Sequence, residues 1–288
     1  MAADARGAPR AETASRPEGR APWRRLSLRA LALGYVLLFI ALPIAAVVAD
    51  GFSDGLAGLL QDVTRPVAWA AIRLTLWTAA LMTAINAVMG TLTALALVRY
   101  SFPGRSVVNA MVDLPFAIPT LVTGVMLVIL YGPQGALGGW LKSSWGVDVI
   151  FAPPGIVLAL LFISMPFVVR SVQPVLMALE LDQEQAAHTL GASPWQSFRR
   201  VLLPALAPAI ATGSMLAFAR ALGEFGSIVV VAGNFPFRSQ TAPVYILTQI
   251  ESDHQRAASA VSIVLLAIAF SLMLVVDLVQ RRREAGRA

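Results

Sequence analysis

Residues 180–204 read ELDQEQAAHTLGASPWQSFRRVLLP, and their chemistry spells helix, sharp turn, helix. Asp182 stands at an N-cap with Gln185 three residues on, and Ala186, Ala187 and Leu190 carry the turn to Gly191, which supplies the positive φ of a helix stop. Ser193 then caps a second helix, in which Pro194 takes the first position, where its missing N–H costs nothing, and Gln196 completes a capping box. Trp195, Phe198 and Leu202 share one face at i, i+3 and i+7, Arg199 and Arg200 fall in the expected last turn, and Pro204 closes the unit.

Apolar runs flank this unit, 155–177 before it and 206–231 after it, each about the 20 residues that a bilayer crossing takes. Runs at 30–49, 74–98, 107–131 and 257–280 make six in all. The whole chain is 57% hydrophobic and 13% charged, against about 25% charged in a soluble domain. These features predict an all-α integral membrane protein with six transmembrane helices. The run 30–49 has Val47 and Ala49 before Asp50, a passable cleavage site, but it is of full span length where a signal-peptide core takes about 7–15 residues, so it reads as a retained helix. Residues 1–29, rich in Arg, Ala, Pro and Gly, read as a disordered basic tail, 30–280 as the membrane domain and 281–288 as a second basic tail.

A helix of about ten residues between two spans is too short to cross, so the apolar face of the 194–203 segment must meet lipid headgroups or a protein partner. Six crossings place both chain ends on one side. That side carries Arg6, Arg10, Arg16, Arg20, Arg24, Arg25, Arg29, Arg99, Arg105, Arg199, Arg200, Arg281, Arg282, Arg283 and Arg287, fifteen cations against five (Arg65, Arg73, Lys142, Arg238, Arg256) on the other. The asymmetry predicts cytoplasmic termini and accounts for the net charge of +6 without nucleic acid. The outer loops 50–73, 132–154 and 234–256 hold turn formers such as Gly132-Pro133 and Pro153-Pro154 and no long polar domain.

There is no cysteine, no Walker-type Gly-rich loop, no Ser/His/Asp arrangement and no paired-carboxylate motif, and His188 and His254 lack a second ligand at metal spacing. No catalytic residue, metal or cofactor is therefore expected in this chain. The charged residues within spans carry more information. Arg220 lies near the middle of the fifth run, where an arginine costs about 2.5–3.5 kcal/mol, and Glu224 falls on the same helical face with Gly223 and Gly226 allowing close approach. The pair is either an internal ion pair that locks packing or a cation facing a translocation path. Asp113 and Arg170 lie nearer the cytoplasmic ends, where snorkelling or capping suits them. Pro115, Pro119, Pro166 and Pro174 are expected to interrupt their helices.

The 180–204 stretch resembles the cytoplasmic EAA loop of ABC-importer permeases, whose pattern is Glu-Ala-Ala, three residues, Gly, nine residues, Ile-x-Leu-Pro. Ala186, Ala187, Gly191, Leu203 and Pro204 match at that spacing, while Gln185 replaces Glu, with Glu184 just before it, and Val201 replaces Ile. The segments RYSFPGRS (99–106), DLPFAIPTLVTG (113–124), PFVVRSVQPVL (166–176) and RALGEFGSIVVVAGN (220–234) are similar to the T-type subunit of sulfate/thiosulfate permeases, and the last is shared with molybdate permeases. The resemblance implies a type I ABC-importer permease fold with a core from about 70 to 280, and a coupling helix in which Glu184, Ala186, Ala187, Gly191, Pro194, Trp195, Phe198, Arg199 and Pro204 dock a cytoplasmic ABC ATPase dimer. It also implies a second permease subunit of W type, a periplasmic sulfate-binding protein, and ATP and Mg²⁺ bound by the partner ATPase.

The function so implied is noncatalytic translocation of sulfate or thiosulfate across a bacterial inner membrane. Molybdate or tungstate is the alternative cargo. A membrane-embedded lipid-phosphate transferase using Arg220 and Glu224 would need several acidic metal ligands near the headgroups, and a self-sufficient channel would not need the capped loop. The charge asymmetry is open to direct test: with reporter fusions after Arg282 and within 132–154, the first should report cytoplasm and the second periplasm. A periplasmic signal from the C-terminal fusion overturns the topology.

Overall fold

The computed structural model describes residues 22–179, 185–187 and 189–285, with side chains described from 29 to 278. The expected tails beyond 22 and 285, Asp182, Glu184 and His188 lie outside the described residues. The helices, in chain order, are α1 (Pro22–Val36), α2 (Leu42–Gly51), α3 (Gly55–Thr64), α4 (Pro66–Arg99), α5 (Arg105–Ala117), α6 (Thr120–Tyr131), α7 (Ala136–Trp145), α8 (Pro153–Ala178), α9 (Pro194–Ser197), α10 (Leu203–Leu222), α11 (Gly226–Ala232), α12 (Ala242–Glu251) and α13 (Gln255–Ala285). A π turn, Leu37–Ala41, joins α1 to α2, and another, Phe198–Leu202, joins α9 to α10.

Among the described residues, five helices are long and apolar enough to cross a membrane, and the pair α5 and α6, bent by 114°, supplies a sixth if it is one span. Residues up to Ala46 form one unit and those from Val47 another. In the first, helix begins at Pro22, inside the stretch expected to be a tail, because adding residues to an existing helix costs far less than nucleating one. The C-terminal helix likewise runs on to Ala285, past the expected boundary at 280.

In the second unit α8 is central, buried along much of its length, with α4 and α10 against it. Two glycines set the spacing. A Cβ on Gly90 of α4 would lie 2.8 Å from the Val168 Cβ, and one on Gly213 of α10 would lie 2.8 Å from both the Val168 Cα and the Phe167 carbonyl oxygen. Val168 itself is fully buried. Where lipid tails are as apolar as the side chains, helices gain most from such close dispersion contact, which only small residues permit. Leu76, Met82, Leu160, Ile228 and Val244 fill the layer above, and Ala94, Leu97, Val112, Val172, Leu176 and Leu206 the layer below.

The short helices α3, α7 and α12 occupy loops expected to hold turns. Of these, α3 is tied to α13 by charge: Asp62 is buried between the Arg65 Nη2 at 2.8 Å and the Arg256 Nε at 2.9 Å, and Arg256 also pairs with Asp54. The second span starts at Pro66 rather than at 74, since Arg73, which pointed to a loop, stands exposed on the helix side.

Replacing Gly213 by leucine should lower stability by about 1–3 kcal/mol, the range for overpacking a filled core, because the atoms it meets belong to backbone that cannot rotate aside. Thermal unfolding of the detergent-extracted protein checks this; an unchanged midpoint refutes the close approach.

Candidate functional site

Where it is described, the loop between α8 and α10 takes the form its residues dictate. Residues 185–187 are helical. The Ala192 N–H reaches back to the Ala187 carbonyl at 3.0 Å across Gly191, whose φ is +84°, the paired signature of a helix stopped by a left-handed residue. At Ser193 both halves of the capping box form: the Gln196 N–H donates to the Ser193 hydroxyl at 3.3 Å and the Ser193 N–H to Gln196 Oε1 at 2.9 Å.

Beyond the cap the chain departs from expectation. Pro204 does not close the unit; helix continues from Pro194 to Leu222 without a stop. The π turn at Phe198–Leu202 widens the backbone just before Pro204, whose ring in a regular helix would press on the carbonyl four residues back. Arg199 and Arg200 therefore lie within a continuous helix, exposed, and not in a last turn. The expected apolar face grades along its length: Leu202 is buried against the α4, α5 and α8 layer, Phe198 is half-buried, and Trp195, stacked on Phe198 at 5.6 Å, is 66% exposed. Leu190, at 88%, is more exposed still.

Two of the apolar runs are broken, the third between α5 and α6 and the fifth between α10 and α11. Pro119 disfavours helical backbone at the residue before it, and Ile118 is extended (φ −83°, ψ 126°), so α5 ends there. Pro115, Pro166 and Pro174 sit inside unbroken helices, contrary to expectation. The fifth run breaks without proline, at Gly223, Glu224 and Phe225. The two breaks meet: a Cβ on Gly226 would collide with the Thr120 hydroxyl, and one on Gly124 would lie 2.9 Å from the Ser227 carbonyl oxygen. Gly223, expected to admit a neighbour, has nothing within 4 Å of its Cβ direction.

Glu224 is buried at this junction. Its Oε1 accepts from the Ser227 N–H and hydroxyl, both at 3.0 Å, and its Oε2 pairs with the Arg220 Nη1 at 2.7 Å. Buried peptide N–H groups at the start of a helix need an acceptor, and the carboxylate supplies it. The Arg220 side chain is 37% exposed, and among the described residues its other N–H donors make no hydrogen bond. The structure thus brings Arg220 and Glu224 together as expected, but across a helix break and with Ser227 as an unforeseen third member. Glu224-x-x-Ser227 has the spacing at which an acidic side chain meets an N-terminal N–H, a signal the sequence did carry. Asp113 and Arg170, expected to snorkel or cap, pair with each other, with Asn109 and Gln173 as partners no sequence signal marked.

Long apolar helices, all-helical among the described residues, with two apolar runs broken against each other and a capped helical turn emerging between spans, make the membrane-embedded core of a permease. Residues 86–285 match the family described as binding-protein-dependent transport system inner membrane component. The chain belongs to that family, and is a multi-pass inner-membrane subunit of an ABC importer. It is 45% identical over 87% of its length, and 88% of the relative's, to the probable sulfate transport system permease protein cysT of Nephroselmis olivacea. It is 43% identical to the sulfate transport system permease protein CysT of Synechocystis, covering 92% of this chain and 93% of that one, and 40% identical to the Escherichia coli CysT, covering 88% and 92%. Among solved structures, a bacterial alginate ABC transporter chain superposes with a TM-score of 0.74 over 90% of this chain and 94% of its own at 19% identity, which shows the fold. A chain of the MetNI methionine transporter gives 0.52 over 76% and 98%, also at 19%.

The Arg220–Glu224 geometry predicts a particular mutant pattern. Arg220→Met leaves a buried carboxylate without its cation and Glu224→Gln leaves the cation without its carboxylate, so each should lower folded protein, by up to about 3–5 kcal/mol for a fully buried pair and less here because Arg220 is over a third exposed. The double variant should recover part of the abundance. Detergent-extracted yields of the four proteins check this; single variants of normal abundance refute the structural pairing.

Proposed function

We propose that this chain is the sulfate-translocating permease subunit of an ATP-driven importer, working with a cytoplasmic ATPase dimer, a periplasmic binding protein and a second permease subunit of W type, with both its termini cytoplasmic. The observation that carries the cargo is identity of 40–45% over nearly the whole chain to proteins named as sulfate permeases. The loop supports the coupling: a turn fixed by Gly191 and Ser193 presents two large exposed apolar side chains, Leu190 just before it and Trp195 on a helix continuous with a span. Motion imposed on Trp195 is transmitted along an unbroken helix to Arg220.

Arg220 is the residue assigned to the anion. Glu224 is engaged on both oxygens, so it holds the guanidinium by one edge and leaves the other edge to a passing dianion. The carboxylate also offsets the cation's charge, which keeps binding weak enough for release.

Uptake of radiolabelled sulfate into proteoliposomes holding the full transporter tests the proposal, with molybdate as competitor. ATP-dependent, binding-protein-dependent sulfate uptake that excess molybdate leaves intact is expected; uptake of molybdate in preference to sulfate would refute the cargo. In the same assay Gly191→Val should assemble in the membrane yet lose most sulfate uptake, because a β-branched residue resists φ near +84° and the loop must leave its angle. Among the described residues nothing lies within 4 Å of a Cβ built there, so backbone strain is the expected cause of the loss. Normal uptake by this variant would count against the coupling role.

A further inference from the structure

The two halves of the bent third span are held by opposite kinds of force. Of α5, only Val112 and Pro115 are buried, so apolar packing secures it weakly. Its tie is polar, to Arg170 on α8. The Arg170 Nε donates to Asp113 Oδ1 at 2.7 Å, its Nη2 to Asp113 Oδ2 at 2.5 Å and to the Asn109 carbonyl at 2.8 Å, and its Nη1 to Asn109 Oδ1 at 2.9 Å and to Gln173 Oε1. All five donors of the fork are engaged. By contrast, α6 is seated through Gly124 and Gly226 in backbone-close contact with α11.

These ties differ in how they open. A glycine-mediated contact has no substitute once parted, whereas water can take over each bond of an exposed ion pair at little cost. Asp113 is 52% and Arg170 29% exposed, so the chain's own side chains do not enclose the fork. The joint between the halves is also loose. The α5 ladder ends with the Ile118 N–H on Leu114, the α6 ladder starts with the Thr123 N–H on Pro119, and Pro119 holds Ile118 out of the helix. Finally, Arg170 lies about two turns before Ala178, where α8 gives way to the 180–204 loop, so force on the loop reaches the fork through α8.

We propose that α5 is a movable arm, hinged at Ile118 and Pro119 and latched in this conformation by the Arg170 fork, and that the latch releases during the transport cycle. Arg170 and Asp113 are then positioning residues that act through α5. This rests on the reading of the chain as a permease.

The chain has no cysteine, so introduced thiols are unique within it. Spin labels at Arg105→Cys and Met177→Cys, both exposed, report α5 against α8, and labels at Ile129→Cys and Phe235→Cys report α6 against the end of α11. In the assembled transporter, electron–electron distances should change between nucleotide-free and ATP-bound states for the first pair and stay fixed for the second. Arg170→Lys keeps the charge but not the fork. It should raise the released population about tenfold without nucleotide, as loss of a hydrogen bond to a charged group does, and lower sulfate transported per ATP at normal abundance. An α5–α8 distance that is the same in every state, with uptake per assembled complex unchanged in Arg170→Lys, overturns the arm. A wild-type transporter that carries sulfate with α5 immobile sinks the arm alone, whereas one that carries no oxyanion sinks the permease reading and the arm with it.

Discussion

Inside hydrocarbon every peptide N–H and C=O must find its partner within the protein, and this constraint governs where the chain breaks its helices and what surrounds each break. The fifth run opens at Gly223, Glu224 and Phe225, and the carboxylate of Glu224 takes the Ser227 N–H that would otherwise be orphaned. A carboxylate so placed is costly unless paired, and Arg220 pairs it. The third run opens at Pro119, which has no N–H to satisfy. Each break is therefore tolerated for a chemical reason, and the two breaks lie against each other, where the protein itself replaces lipid.

Close packing does the rest. Gly90 and Gly213 let α4 and α10 approach α8 on either side of Val168, and Gly124 and Gly226 do the same for α6 and α11. These contacts leave no slack for side-chain adjustment, so the body they define moves as one piece if it moves at all. Mobility is left to elements tied by polar groups at the membrane face, of which α5 is one, and to the loop whose large side chains stand clear of the core.

The two arginines within spans illustrate how one residue type serves two ends. Arg170 has every donor occupied, by a carboxylate, a carbonyl and two side-chain amides on two helices, and so acts as a junction. Arg220 is held through a single ion pair and its side chain stays partly exposed. The difference lies in donor saturation, since both are charged and both sit among apolar residues.

The sequence by itself determined the class and most of the local geometry. Apolar runs of span length give membrane helices because backbone satisfaction in lipid allows little else, and 155–177 matches α8 to within two residues. Gly191, Ser193, Pro194 and Gln196 specified their turn because caps are set by groups within a few residues of one another. The tertiary structure alone decided which prolines break a helix: α8 runs unbroken through the buried Pro166 and the exposed Pro174, whereas Pro119 becomes a 114° bend. It also decided the partners of Asp113 and Arg170, which are 57 residues apart in sequence and meet only through α5 and α8. Capping is a property of adjacent backbone and so is written locally, but which distant helix stands behind a charge depends on how the spans pack, and no short-range pattern records that.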